Sequence, residues 1–182
     1  ETMGTTFSVR LAASLAPAAR EEIAARLDAR LARLDGRLST WNPASELSRF
    51  NASAAAGSWF PVSAETARVT ALALDVSARS DGALDPTVGP LVELWGFGPG
   101  GRRTAPPARG EVEALRAALG FRHIDVRPAP PALRRDTAAV RLDLSAVAKG
   151  HGADAIAVVL AAMGYDDVLV EIGGEIAARG TG

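Results

Sequence analysis

The segment "AAVRLDLSAVAKGHGADAIAVVLAAMGYDDVLVEIGGEIAARG" (residues 138–180) decides the fold class of this protein. Its first seven residues, 138–144, predict a strand that leads through a short turn into a helix. The apolar, β-branched run 167–173 predicts a second strand, and "EIAARG" predicts its hairpin partner across Gly173-Gly174. Because these helices and strands do not follow a regular βαβ alternation, the segment favours an α+β fold over a doubly wound sheet.

The predicted helix of this segment carries the only lysine of the chain, Lys149, near its start. The sequence leaves two starting points open, about Ala146 or Gly152, and an end at Met163. A helix start presents unpaired backbone N–H groups and the positive end of the helix dipole, which together favour an anion.

The residues around that start have side chains suited to a ligand. Gly150 and Gly152 would let the backbone approach it without a Cβ clash, and Lys149 would add a charge suited to a phosphate oxygen. Asp143 could accept hydrogen bonds from a ribose, a ring N–H or a metal-bound water. The alternative is a solvated lysine beside an ordinary glycine turn. Neither a P-loop nor a G-x-G-x-x-G fingerprint is present.

The rest of the chain predicts further helices and strands. Five apolar residues spaced three and four apart form one face of a helix from Pro17 to about Leu38: Ile23, Leu27, Leu31, Leu34 and Leu38. Ser45 and Ser63 are positioned to cap the helices that follow them. The remaining predicted elements are strands at 5–11 and 123–127, helices at 46–50, 63–79 and 111–119, and a short helix within 84–98.

Composition excludes several functional classes. The 182 residues carry a formal net charge of −1 with scattered arginines, which argues against a nucleic-acid binder. No apolar run approaches the roughly 18 residues of a membrane-spanning helix. The absence of cysteine excludes disulfides and thiolate metal sites, and leaves the redox compartment open.

Three further residues stand out as candidates. Asp85 lies in a turn rich in Pro and Gly, where a flat aromatic ligand could rest, although Asp85 could equally be a helix N-cap with Pro86 in the first turn. Trp41 lies in a polar turn and could stack on a planar ring. Met3 precedes the first strand, where a methionine is usually a core or terminal residue.

Taken in order, these stretches resemble the ApbE family of FAD:protein FMN transferases. The matching stretches are "MGTTFSV" (3–9), "LSTWNPASELSRFN" (38–51), "GALDPTVGPLVELWGFG" (82–98) and "LDLSAVAKGHGAD" (142–154) followed by "VEIGGEI" (170–176). The resemblance implies an ApbE-like, T-fold-related mixed α/β sandwich in a single domain over residues 1–182.

The resemblance also implies an activity and a site. Enzymes of this family take FAD and Mg²⁺, join FMN through a phosphoester to a threonine of a target flavoprotein, and release AMP. The residues expected to line the FAD site are Met3, Trp41, Ala83, Leu84, Asp85, Asp143 and Lys149. Ala146 would contact the metal through its backbone carbonyl, a reasonable ligand for a hard cation.

The catalytic residues and the remaining metal ligands are expected in a C-terminal segment beyond Gly182. We expect both ends of the given sequence to be cut edges of a longer, processed or truncated protein. By resemblance, the protein is expected in the bacterial periplasm, anchored to the inner membrane as a lipoprotein by a segment before Glu1.

Two other functions stay open at this point. One is a Mg²⁺-dependent FAD pyrophosphatase of the same fold, which passes FMN to water and releases AMP without a protein acceptor. The other is a non-catalytic FAD-binding module, which binds FAD and releases no AMP.

Overall fold

The protein is described by a computed structural model covering residues 4–53 and 56–181. In chain order its elements are β1 (Phe7–Leu11), α1 (Pro17–Leu38), α2 (Glu46–Ala52), β2 (Phe60–Pro61), α3 (Ala64–Arg79), α4 (Gly89–Leu94), α5 (Arg109–Ala118), β3 (Ile124–Pro128), β4 (Pro131–Arg135), α6 (Ser145–Ala162), β5 (Val168–Ile172) and β6 (Glu175–Arg179). Helices combined with small antiparallel sheets confirm the predicted α+β class.

Contacts divide the chain into two compact units. Residues 1–36 and 147–182 form one, here called the terminal unit, and residues 37–146 form the other, the central unit. The expectation of a single domain over residues 1–182 stays a prediction.

The sheet of the terminal unit has the order β1-β5-β6, with β5 antiparallel to both neighbours. Val168, Val170 and Ile172 of β5 are buried. Gly173 and Gly174 turn the chain into β6 with φ of 55° and 93°, a backbone that favours glycine at both central positions of a tight hairpin. The predicted strand 167–173 and its hairpin partner are therefore confirmed.

Helix α1 has the bounds that its apolar spacing predicts, Pro17–Leu38. All five predicted core residues of this helix are at most 6% exposed. Their burial stabilises the fold, since a fully buried leucine is worth about 2 kcal/mol.

The sheet of the central unit has the order β2-β4-β3. Strand β3 confirms the strand predicted at 123–127, but β4 was not predicted, because its sequence, "PALRR", lacks the alternation of a half-buried strand. The predicted strand at 138–144 is wrong: its described pairing is a single parallel bridge between Val88 and Arg141. Its backbone groups bond instead to a side chain and to a loop, as described below.

The predicted serine caps of the central unit are confirmed. Ser45 Oγ accepts the N–H of Ser48 at 2.9 Å, and Ser63 Oγ accepts the N–H of Thr66 at 3.2 Å. Each bond satisfies an N–H group that the first helical turn leaves without a partner.

No helix within residues 4–53 and 56–181 has the length and apolar character needed to cross a membrane.

Candidate functional site

A cavity of about 550 Å³ lies in the central unit. Its lining includes Trp41, Asn51, Gly89, Gly98 and Asp143. These residues come from three of the sequence stretches singled out above, and the fold brings them together although they are up to about a hundred positions apart. This convergence makes the cavity the candidate ligand site.

The amide of Asn51 holds one wall of the cavity in place. Its Nδ2 donates to the carbonyl of Leu142, and its Oδ1 accepts the N–H of Leu142, both at 2.8 Å. One side chain thus satisfies both backbone groups of one residue, as a neighbouring strand would. Arg141 and Asp143, on either side of Leu142, line the cavity.

The loop before α4 supports the same wall. The N–H of Asp143 donates to the carbonyl of Pro86 at 2.8 Å, and the N–H of Gly89 donates to the carbonyl of Arg141 at 3.2 Å. A Cβ at Gly89 would lie only 2.7 Å from that carbonyl oxygen. Two backbone segments can approach this closely only because residue 89 has no side chain.

A buried arginine, which sequence reasoning missed, lies next to these segments. Arg135 is 3% exposed, and its guanidinium donates to the carbonyls of Val140 at 3.0 Å, Asn51 at 3.3 Å and Ser53. Burial lowers the pKa of Arg135, and the nearby charge of Arg141 lowers it further. Nothing in the arginine-rich sequence distinguishes this residue from its exposed neighbours, so no local signal could have identified it.

Two of the predicted site residues line this cavity. Trp41 is 64% exposed, so its ring is available to a planar ligand. Asp143 is partly buried, and its Oδ1 accepts the N–H of Ser145 at 2.8 Å. This bond satisfies an N–H group at the start of α6 and leaves the second carboxylate oxygen for a ligand.

Ala83, Leu84 and Asp85 lie in the loop between α3 and α4 and are not among the residues that line the cavity. Asp85 Oδ1 accepts the N–H and the hydroxyl of Thr87, at 2.8 and 2.6 Å. The interpretation of Asp85 as a helix N-cap is wrong, because α4 begins only at Gly89 and Asp85 closes the preceding turn. The contact of this loop with the FAD site stays a prediction.

Of the two starting points that the sequence left open for this helix, about Ala146 is confirmed to within one residue, whereas Gly152 and the glycine turn inferred beside Lys149 are wrong. Helix α6 begins at Ser145, so Lys149, Gly150 and Gly152 lie in its second turn. There the backbone N–H groups bond to carbonyls four residues earlier and are not available to an anion.

Lys149 instead belongs to a second group of motif residues, within the terminal unit. A Cβ placed on Gly173 would lie 2.8 Å from Cγ2 of Thr5 and 3.2 Å from Cδ of Lys149. Three separate stretches of the resemblance therefore meet at the turn between β5 and β6. In the part of the chain that the structure describes, the Lys149 ammonium has no carboxylate within 4 Å.

The two remaining predicted site residues have different outcomes. Met3 lies outside the described residues. Ala146 is the second residue of α6, and its carbonyl has one lone pair left after its helical hydrogen bond. Among residues 4–53 and 56–181 no group of three His, Asp or Glu side chains could hold a metal ion. The described residues alone therefore do not fit a complete Mg²⁺ site, which needs about six oxygen ligands.

Comparison with known proteins connects this geometry to a family. The ApbE family model matches residues 3–182. The chain belongs to the ApbE family. A protein of Vibrio cholerae serotype O1, named FAD:protein FMN transferase, is 38% identical over 179 residues, covering 98% of this chain and 53% of that relative. A relative of the same name from Escherichia coli K12 is 36% identical over 185 residues, covering 99% of this chain and 51% of the relative.

Solved ApbE structures share the fold. The flavin transferase ApbE from Vibrio cholerae superposes with a TM-score of 0.92 at 37% identity, covering all of this chain and 58% of that one. An ApbE protein from Thermotoga maritima, at 24% identity, matches with a TM-score of 0.85 and supports the fold alone. The chain spans about half the length of the curated relatives it matches.

Proposed function

We propose that the protein transfers FMN from FAD to a threonine of a target flavoprotein and releases AMP. The observation that supports this most directly is the cavity in which Trp41 and Asp143 meet, in a chain of the ApbE family. Relatives named FAD:protein FMN transferase, at 36–38% identity, support the same activity.

The residues of this chain bind and orient the substrate in this proposal. Trp41 stacks on a ring of FAD, and the free oxygen of Asp143 accepts a hydrogen bond from the ligand. Lys149 supplies a positive charge for a phosphate oxygen. The threonine hydroxyl oxygen then forms a bond to the phosphorus on the FMN side. The bond from that phosphorus to the bridging oxygen breaks, AMP leaves with that oxygen, and the hydroxyl proton passes to a base.

Magnesium dependence is part of the proposal and rests on the family resemblance. When bound, Mg²⁺ would neutralise charge on the FAD diphosphate. Within the described residues the Ala146 carbonyl is the candidate contact, and the remaining oxygen ligands of Mg²⁺ would come from outside these residues. Loss of AMP release on chelation, with recovery on added Mg²⁺ but not on added Na⁺, is the expected result.

The decisive experiment measures AMP release from FAD and Mg²⁺, with and without a threonine-bearing acceptor domain. AMP that appears only with acceptor, together with an FMN-sized mass gain on it, supports the transferase. AMP release without an acceptor would instead establish the pyrophosphatase. Stable FAD binding without AMP release would establish the non-catalytic module.

Asp143→Ala and Lys149→Ala should each lower turnover or FAD affinity at least tenfold, because each removes a side chain that contacts the ligand in this proposal. The control is Asp75→Ala, which removes an exposed acid on α3 and should change neither quantity.

Replacing Trp41 tests the stacking role separately. Trp41→Ala should weaken FAD binding about fivefold to tenfold, and Trp41→Tyr should leave it within about twofold, because a tyrosine keeps an aromatic plane. Flavin fluorescence titration measures both. Trp59 provides the control, because its ring contacts the guanidiniums of Arg127 and Arg134 and does not line the cavity, so Trp59→Ala should not change FAD affinity. Equal loss in Trp41→Ala and Trp41→Tyr would contradict stacking.

Periplasmic localisation and a lipid anchor also belong to this proposal and rest on the resemblance alone. Fractionation of cells expressing the complete gene, with labelled fatty acid, tests them. Label and protein recovered together in the membrane fraction would support the anchor, and unlabelled protein in the cytoplasmic fraction would contradict it.

A further inference from the structure

We propose that Arg141 is a phosphate contact of the cavity in the central unit and binds the diphosphate of FAD. The inference rests on the proposed function for the identity of the ligand. It assigns a binding role to a residue outside the set that the sequence singled out.

Arg141 is the one charged residue of the cavity lining for which the structure describes no hydrogen bond or ion pair of its side chain. The three charged residues of the lining are Glu93, Arg141 and Asp143. Glu93 Oε2 accepts the N–H of Gly100 at 3.2 Å, and Asp143 Oδ1 accepts the N–H of Ser145 at 2.8 Å. Arg141 is exposed, and its guanidinium forms no ion pair with any carboxylate that the structure describes. Each acid thus accepts one backbone hydrogen bond, while the guanidinium of Arg141 is available to an anion.

A second positive charge, the guanidinium of Arg135, lies near Arg141. The buried guanidinium of Arg135 donates at 3.0 Å to the carbonyl of Val140, the residue before Arg141, and the charge of Arg141 lowers the pKa of Arg135. The other described partners of Arg135 are the neutral carbonyls of Asn51 and Ser53. Two like charges therefore lie near each other without a carboxylate between them among the described residues. An anionic ligand at Arg141 would relieve this repulsion, which adds to the favourable energy of binding.

Hydrogen bonds at Arg141 and at the next residue already hold the backbone of Arg141 in place. Its carbonyl accepts the N–H of Gly89, and the next residue, Leu142, is held by both atoms of the Asn51 amide. Only the side chain of Arg141 must be ordered on binding, which lowers the entropic cost. A planar guanidinium can then present two parallel N–H donors to phosphate oxygens.

Binding measurements on the purified protein separate the phosphate from the flavin. Arg141→Gln should raise the dissociation constants of FAD and of ADP about tenfold and leave that of riboflavin, which has no phosphate, unchanged. Arg141→Lys should fall in between, because a lysine keeps the charge but not the planar pair of donors. The matched control is Arg116→Gln, an exposed arginine on α5 that does not line the cavity, and it should change none of the three constants.

Two results would overturn the inference. Unchanged FAD and ADP binding in Arg141→Gln would show that the side chain does not meet the phosphates, and an equal loss of riboflavin binding would show that it shapes the cavity instead. The proposed function fails separately. If the wild-type protein binds ADP in a way that depends on Arg141 but never releases AMP from FAD, the phosphate contact stands and the transferase activity is contradicted.

Discussion

Replacement of Arg135 by leucine is expected to lower the free energy of unfolding by about 3 kcal/mol, the largest effect on stability that we expect from a single side chain here. The guanidinium donates to three backbone carbonyls in a buried region, and leucine can donate to none. Each lost bond leaves an acceptor without its partner, at a cost of about 1 to 3 kcal/mol.

An opposing effect keeps the expected loss from being larger. Leucine removes the cost of burying a charge, which amounts to several kcal/mol for an ion taken out of water. That cost is appreciable in the native protein, because the Nε of Arg135 is buried without an acceptor among the described residues. The three carbonyl bonds outweigh this relief, so the net change is a loss of stability.

The neighbouring residue on β4 provides the matched control. Arg134 pairs with Asp125 at 2.8 Å, and the two side chains are 40% and 50% exposed. A solvent-exposed pair of this kind contributes at most about 1 kcal/mol, so Arg134→Leu should have a small effect. Urea unfolding followed by far-UV circular dichroism measures both variants. Equal midpoints for Arg134→Leu and Arg135→Leu would contradict the role given to the buried guanidinium.

Replacement of Gly89 by alanine is expected to cost about 2 kcal/mol of stability and to weaken FAD binding at least tenfold. The new methyl would lie 2.7 Å from the carbonyl oxygen and 3.1 Å from Cβ of Arg141. Neither atom can move away easily, because Asn51 holds the following residue by two hydrogen bonds. The bridge between Val88 and Arg141 must therefore open, and Arg141 and Asp143 shift from their positions in the cavity wall.

Gly110 in the first turn of α5 distinguishes this clash from a general effect of alanine. A Cβ there meets no atom within 4 Å beyond its neighbours and the nearby backbone of its own helix, and alanine is the better helix former. Gly110→Ala should keep the stability or raise it by up to about 1 kcal/mol, with FAD affinity unchanged. If Gly89→Ala behaved like Gly110→Ala in thermal unfolding and in FAD titration, the close backbone approach at residue 89 would be required neither for stability nor for FAD binding.

Much of the local structure could be predicted because its signals are local. The apolar spacing of α1 predicted both ends of that helix, and Ser45 and Ser63 predicted two helix starts. The two glycines at 173 and 174 predicted the hairpin that follows β5. In each case the deciding residues lie within a few positions of the structure they determine, so neighbouring side chains carry the information.

One error lies where the partner is distant along the chain, and another lies where the first turns of a helix carry no apolar repeat. Residues 138–144 have a strand-like composition, but Asn51, 91 positions away from Leu142, takes the place of a neighbouring strand. For α6 the sequence left two starts open, about Ala146 and Gly152, because the small residues of its first turns give no apolar repeat, and only the earlier one agrees with the structure. A glycine turn was inferred around Lys149 where the chain is already helical.

By itself the sequence determined the α+β class, most element bounds, and a resemblance that the comparisons confirm as membership of the ApbE family. Only the tertiary structure decided which candidates share a site. It grouped Trp41 with Asp143 in one cavity and Lys149 with Thr5 at one turn, and it added Asn51, Arg135 and Arg141. The physical reason is that periodicity and capping act over one or two turns, whereas cavities and buried hydrogen bonds depend on long-range packing.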